Sequence, residues 1–269
     1  MEITSTQNPR IKHLLSLQQK SQQRRQEGLF VVEGRRELSH CLAAGCLPSS
    51  FFVCPELYQG PQPEGAPVFT LPPSLYAHVA YRGSTEGIIA VMKARPQSLE
   101  SLEPFLSASS SPLIVVLESV EKPGNLGAVL RSADAAGADA VIVCDPLTDL
   151  YNPNLIRSSL GALFTVPTIA TSSAECIAFL KQHHISILTA QLQDSHPYYA
   201  TDMRRPTALV MGTESTGLTD QWRQAADAHI RIPMLGRLDS LNVSVSAAIL
   251  LYEAVRQRQI TSEELGAKS

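Results

Sequence analysis

From residue 113 onwards, continuous apolar runs alternate with stretches of helical period. This alternation constrains the fold more than any other feature of the chain. Leu113–Leu117 is apolar without a break, as a strand buried on both faces of a parallel sheet must be. Leu126, Val129, Leu130 and Ala133 then fall at i, i+3, i+4 and i+7, one face of a helix. The same reading predicts strands at Ala140–Cys144, Ile185–Ala190, Ala208–Met211 and Ile230–Ile232. It predicts helices over Leu155–Phe164, Ala174–Gln182, Gln221–Ala228 and from about Asn242 to Gln259. In the last of these, Val243, Ala247, Leu250, Leu251, Ala254 and Val255 form one apolar stripe. Such alternation predicts an α/β fold with a parallel sheet covered on both faces. The pattern alone suggests a simple doubly wound sheet, because threaded chains are rare.

Residues 1–95 have a different rhythm. Asn8 and Pro9 suit the cap and first position of a helix, and Ile11, Leu14 and Leu15 continue it. A polar, basic tract, Lys20–Arg25, precedes a short strand that Gly34 ends. A helix near residues 35–44 and strands at Ser50–Cys54 and Gly87–Met92 complete a small α/β unit. Pro96, Pro104, Pro112 and the Ser107–Ser111 cluster predict a linker over 96–111, leaving a second domain at 112–262 and a tail at 263–269.

Charge separates the two parts. The net charge of −3 excludes a wholly basic nucleic-acid coat. Residues 1–96 nonetheless hold ten Lys and Arg against seven Glu and no Asp, so an anionic partner is expected there. The five cysteines are odd in number and lack C-x-x-C spacing. Neither a zinc site nor a disulfide framework is expected, and no metal is called for. Reduced thiols fit a cytoplasmic protein, or one of an organelle matrix. The polar start predicts no signal peptide, and no apolar stretch approaches the ~18 residues of a membrane span.

Three patches that follow strands could carry chemistry, since ligands of open α/β sheets gather outside the carboxyl ends of strands. The first is Glu118–Gly127 with Arg131 beyond it; its glycines fit neither a dinucleotide fingerprint nor a P-loop. A plain cap at Asn125 and a solvated Arg131 are also open. The second is Met211-Gly212-Thr213-Glu214-Ser215-Thr216-Gly217, where glycines admit close approach of a ligand and a carboxylate accepts hydrogen bonds. A turn before a helix cap at Thr219 explains the same residues. The third is Ile232–Ser246, in which Ser240 or Asn242 would cap a helix. Ser240, Leu241, Asn242 and Ser244 together exceed what one cap needs.

Taken in order, Pro123-Gly124-Asn125-Leu126-Gly127 with Arg131, Met211-Gly212-Thr213-Glu214 with Gly217, and Ile232-Pro233-Met234 with Ser240–Val245 resemble the three motifs of the SpoU/TrmH family. These are RNA ribose 2′-O-methyltransferases of the SPOUT superfamily, and the resemblance spans roughly residues 112–260. Ser5–Pro9 and Phe30–Gly34 resemble that family's amino-terminal substrate-binding domain, a small ribosomal-protein-like α/β unit. The resemblance implies a parallel sheet tied in a deep trefoil knot, a homodimer, and S-adenosylmethionine as cofactor. It implies cofactor contacts from Met211, Gly212, Thr213, Ile232, Pro233 and Leu241. It implies catalytic work by Asn125, Arg131, Glu214, Ser240, Asn242 and Ser244. Arg131 matches a residue described in the family as a base. A guanidinium does not readily release its proton, so a phosphate clamp that stabilises developing charge is the physically better role.

RNA contacts are expected from Arg10, Lys12, Arg24, Arg25 and Arg35 in the basic first part, and from Arg157, for which a surface arginine is equally open. Tyr81 is a candidate for stacking on a splayed base. The start of the chain looks more like ribosomal-RNA-modifying members than transfer-RNA ones, so 23S-type ribosomal RNA is favoured. Alternatives are a tRNA 2′-O-methyltransferase, and an RNA-binding or assembly factor of the same fold without turnover.

Overall fold

The computed structural model describes residues 1–81, 86–95, 97–213 and 216–266, without the side chains of 260–266. Two compact units divide the chain. The first comprises Met1–Pro96 and Asp149–Thr165, the second Gln97–Thr148 and Val166–Ser269.

The first unit begins with α1 (Pro9–Gln19) and α2 (Ser21–Glu27). Asn8 caps α1 by accepting the Arg10 amide at 2.9 Å, and Pro9 opens the helix. Then follow β1 (Leu29–Glu33), α3 (Arg35–Ala43), β2 (Pro48–Val53), β3 (Val68–Thr70), α4 (Pro73–Val79) and β4 (Ile88–Lys93). The sheet order is β1-β4-β2-β3, with β4 antiparallel to both its neighbours and β3 parallel to β2. Ile11, Leu14, Leu17, Phe52 and Tyr76 bury against one face of it.

The second unit opens with α5 (Glu103–Ala108), β5 (Leu113–Glu118), α6 (Pro123–Ala135) and β6 (Ala140–Cys144). Leu102 and Leu106 sink into this unit's core, so the segment predicted as a linker is packed structure. Pro104 starts a helix there rather than freeing the chain. Next in the chain come α7 (Pro153–Ser158) and α8 (Ala162–Thr165), which group with the first unit. The single helix predicted over Leu155–Phe164 is broken because Leu160 and Gly161 adopt φ of 53° and 87°. After them come β7 (Thr168–Thr171), α9 (Ser173–Gln182), β8 (Ser186–Ala190), β9 (His196–Pro197), β10 (Thr207–Met211), α10 (Asp220–Ala225), β11 (Ala228–Arg231) and α11 (Val243–Gly266).

These strands make a seven-stranded sheet in the order β7-β6-β5-β10-β8-β11-β9. Every pair in it is parallel. β5 to β7 run one way from the centre and β10 and β8 the other, so the order reverses between β5 and β10. That crevice is where an open α/β sheet holds a ligand. Among the described residues, no helix is long and apolar enough to cross a membrane. All five cysteines are buried and free.

Candidate active site

The carboxyl ends of β8, β10 and β11 enclose a cavity of about 360 Å³. Met211, Gly212, Ile232 and Leu241 line it, together with Ser240 and Thr213. A second hollow of about 120 Å³ lies at the reversal between β5 and β10, lined by Val120, Lys122, Asn125, Gly212 and Thr213. Gly212 and Thr213 belong to both.

Gly212 has no choice of residue type. A Cβ built there would run into the backbone of Gly217 and Leu218. The chain after β10 doubles back on itself at this point: Gly217 N donates to Thr213 O at 3.1 Å, and Gly217 sits at φ 68°. The Thr213 hydroxyl holds the turn by accepting the Thr216 amide at 3.0 Å. Glu214 and Ser215 lie outside the described residues.

One amide ties the first motif to the third. Asn242 Nδ2 donates to Asn125 Oδ1 at 3.2 Å. The Asn242 Oδ1 accepts the Ser244 amide at 3.0 Å and the Ser244 hydroxyl at 2.6 Å. Asn242 is therefore the cap of α11 and the tie to Asn125 at once, although neither it nor Ser244 lines either cavity. Asn125 is not a cap: it is the third residue of α6, whose cap position is Lys122. Ser240 caps nothing; its hydroxyl donates to Asp239 Oδ1 at 3.3 Å on the cavity wall.

A buried carboxylate backs the second motif. Glu118, at the end of β5, accepts the Thr219 amide at 2.8 Å, the Thr219 hydroxyl at 2.6 Å and the Ser173 hydroxyl at 3.3 Å. Thr219 occupies the cap position of α10, but its hydroxyl serves Glu118 instead of the helix. This pins the carboxyl end of the motif-two turn to the neighbouring strand.

Not every expected residue joins the site. Arg131 is exposed on α6 and lines neither cavity. Six residues beyond Asn125, it lies roughly 120° around the helix and about 9 Å along it. Pro233 is half-buried and sits between two lining residues, Ile232 and Met234, without lining the cavity itself. Gln191, Gln193 and Arg223 line the cavity without having been expected. The signal for the two glutamines was their place just after a buried parallel strand. Arg223 carries a buried Nε with no hydrogen-bond partner among the described residues.

In the first unit, Lys12, Arg25 and Arg35 are exposed, and Arg157 is half-buried. Arg10 is exposed with its guanidinium 4.7 Å from the Phe69 ring centroid. Arg24 corrects the expectation of an RNA contact. It is 4% exposed, pairs with Asp149 at 2.6 Å and donates to the carbonyls of Leu17 and Gln18. A buried, paired guanidinium is spoken for within the fold.

A wholly parallel sheet with a small-molecule cavity at its carboxyl ends is the build of an α/β enzyme that binds a nucleoside-like cofactor. Residues 112–252 match the SpoU rRNA Methylase family, and residues 8–90 match the MRM3-like substrate binding domain. The chain belongs to the SpoU rRNA methylase family. The 23S rRNA (guanosine-2′-O-)-methyltransferase RlmB of Photobacterium profundum is 39% identical over 179 residues, 66% of this chain and 73% of that protein. The crystal structure of an RNA 2′-O ribose methyltransferase superposes with a TM-score of 0.81 at 40% identity, covering 96% of this chain and all of the other. The AdoMet-bound rRNA methyltransferase from Sinorhizobium meliloti superposes at 0.85 with 26% identity, covering 95% and 97%.

Proposed function

We propose that this protein transfers a methyl group from S-adenosylmethionine to the 2′-hydroxyl of a ribose in large-subunit ribosomal RNA. The observation that carries the reading is the pair of cavities sharing Gly212 and Thr213, with Asn125 on the wall of the smaller one and held by Asn242. One cavity has the size for a nucleoside cofactor, and the adjoining hollow opens on polar groups that can receive a ribose.

The residues present fit the cofactor. The cavity has apolar lining in Met211, Ile232 and Leu241, and at Gly212 a Cβ would collide with the backbone of Gly217. Arg223, whose Nη1 reaches the exposed Asp220 at 3.4 Å, adds a buried Nε without a partner among the described residues, a donor suited to a carboxylate. S-adenosylmethionine supplies the electrophilic methyl group when bound. The backbone of Gly212, Ile232 and Leu241 positions it, and Thr213 keeps the turn closed. Asn125 orients the ribose, Asn242 and Ser244 hold Asn125 in place, and Ser240 shapes the wall of the cofactor cavity. Glu214 completes the second motif. Holding hydroxyl and methyl in line supplies much of the acceleration.

Arg131 holds the neighbouring phosphate and stabilises charge on the 2′-oxygen. Since it lines neither cavity of its own chain, it serves a second copy in a homodimer. The α11 face supports that assembly, because Val245 and Tyr252 stay 47% and 51% exposed about two turns apart. RNA is drawn by Arg10, Lys12, Arg25 and Arg35, the cytoplasm is the working compartment, and the sheet is knotted as in the rest of the family.

The test is methyl transfer from labelled S-adenosylmethionine to total RNA, fractionated afterwards and digested to nucleosides. Label recovered in ribosomal RNA as a 2′-O-methyl nucleoside, and lost with Arg131→Ala, supports the reading. Label on a base, or on transfer RNA only, overturns it.

A further inference from the structure

Two thiols of the first unit meet at the end of α3, and the chemistry above uses neither. The helix ends in a Schellman turn. Cys46 N donates to Cys41 O at 3.1 Å, Gly45 N donates to Leu42 O at 2.8 Å, and Gly45 sits at φ 80°. Such a turn brings the side chains of its first and last residues together, and here both are cysteines. The Cys41 thiol donates to the Cys46 sulfur. The Arg95 guanidinium, from just past the end of β4, donates to the same sulfur. Arg95 Nη1 lies 3.9 Å from where a Cβ on Gly45 would stand. Lys93 N donates to Leu47 O at 2.9 Å, which holds the end of β4 beside the turn.

The two sulfurs differ in charge and in access. The hydrogen bond from Cys41, helped by the positive charge of Arg95, holds the Cys46 thiol below its ordinary value although burial opposes this. The same hydrogen bond and burial push Cys41 up, so it keeps its proton. Cys46 is 4% exposed and Cys41 fully buried, so solvent reaches the residue with thiolate character. The other cysteines supply the contrast. Cys144 and Cys176 also touch, but both are fully buried. Cys144 is pushed up by its bond to Cys176, by burial and by the carboxylates of Asp145 and Glu118. Cys54 is fully buried, and its thiol donates to Glu56 Oε2 at 3.4 Å.

We propose that Cys41 and Cys46 form a reversible oxidation site, joined as a disulfide when hydrogen peroxide reaches Cys46. The Cys46 thiolate attacks one peroxide oxygen and the O–O bond breaks. The departing hydroxide leaves as water, taking up the proton that Cys46 had given to solvent. Cys46 is then a sulfenic acid. The Cys41 sulfur attacks the Cys46 sulfur, the S–S bond forms and the S–O bond breaks. That hydroxide leaves as a second water with the Cys41 proton. Two thiols thus lose two electrons to one peroxide. The turn is already closed by two backbone hydrogen bonds, so the sulfurs have a short way to travel. Where glutathione keeps thiols reduced, such a bond is transient and senses oxidant rather than building the fold. The site stands apart from methyl transfer, and its test is independent of that reading.

The full chain is treated with hydrogen peroxide, quenched with catalase, and unfolded in guanidinium chloride with iodoacetamide. Intact mass then counts the thiols. Reduced protein takes five carbamidomethyl groups, one for each free cysteine. Oxidised protein should take two fewer, and dithiothreitol before alkylation should restore them. Fragmentation of the tryptic peptide 37–82 should place the bond between Cys41 and Cys46 and leave Cys54 alkylated. Cys41→Ser should stop at the sulfenic acid, trapped on Cys46 by dimedone. Arg95 is exposed, so its variants test the chemistry without touching the core. Arg95→Gln should slow the loss of thiols about tenfold, and Arg95→Lys less. Five alkylated thiols after peroxide overturn the inference. So does a bond between Cys144 and Cys176 in place of this one, or a sulfinic acid at Cys46 that dithiothreitol leaves intact. Equal rates for the wild type and Arg95→Gln overturn it as well.

Discussion

Asn242 serves a helix end and the proposed catalytic centre with a single amide, and its two ends can be separated by substitution. Its oxygen caps α11, and its nitrogen reaches Asn125. Asn242→Ala removes both and should cost about 1 kcal/mol of stability through the lost cap. Asn242→Asp restores an oxygen for the cap but cannot donate to Asn125. Thermal melts should show the Asp variant regaining stability, while methyl transfer stays low in both. If activity returns with the cap, the bridge to Asn125 has no catalytic role. Glu33 offers a second residue-scale test, in which the pH dependence gives the sign. Its folded value lies above the ordinary one, so the ionised form is disfavoured by folding. The penalty is absent at acid pH, grows as pH rises through that folded value, and then stays constant. Glu33→Gln should therefore be more stable than the wild type near neutrality, by about 1 kcal/mol, and equal to it below pH ~4. Unfolding curves at several pH values check this. Sequence alone could mark Asn242 as a cap candidate in a polar run larger than one cap needs. It could not tell Arg24 from its basic neighbours, because pairing with Asp149 is 125 residues distant in the chain.

At the scale of elements, the parallel strands were legible because burial on both faces leaves a continuous apolar run. β5, β6, β8 and β10 read almost residue by residue. The short edge strands β3, β7 and β9 did not, since two to four residues carry no period. β11 sits two residues earlier at its start than its apolar pattern suggests, as partner hydrogen bonds rather than hydropathy set its limits. The loops between these elements are held by contacts that no local pattern announces. Glu118 is 2% exposed and gathers Thr219 and Ser173. The single Ser173 hydroxyl proton lies between Glu118 and the nearer Asp145, at 2.6 Å, and the oxygen accepts the Trp222 indole N–H at 2.9 Å. Strands β5 and β6 and helices α9 and α10 thus meet at one hydroxyl. Glu118→Gln would put an amide donor against the Thr219 amide or hydroxyl, leaving buried donors facing each other. That should cost about 1–3 kcal/mol. Because Thr219 follows directly on the motif-two turn, the affinity for S-adenosylmethionine should fall as well. Calorimetric titration of the folded variant checks this: unchanged affinity would mean that the turn is set by its own threonines.

At the scale of the whole molecule, the division into units was only partly open to a reading that moves along the chain. The change of pattern near residue 96 marks one boundary, but Asp149–Thr165 groups with the first unit although its flanking strands belong to the second. The strand order is equally hidden, because β5 and β10 pair across about 94 residues. The position of Arg131 makes the assembly testable. It shares a helix with Asn125 yet lines neither cavity, so we expect it to complete the centre of a second copy. Gly212→Ala should abolish cofactor binding, because its Cβ collides with Gly217, and Arg131→Ala should spare binding but lower turnover by about 10²–10³-fold. Co-expressing the two variants with different tags and purifying through both isolates the mixed dimer. If the arginine acts across the interface, one site of that dimer pairs an intact cavity with an intact Arg131, and methyl transfer reaches half the wild-type rate. If it acts within its own chain, each site lacks one essential part and the mixed dimer is as inactive as either parent. Recovery of a mixed species also requires the dimer itself, and its sedimentation coefficient reads the stoichiometry independently of activity.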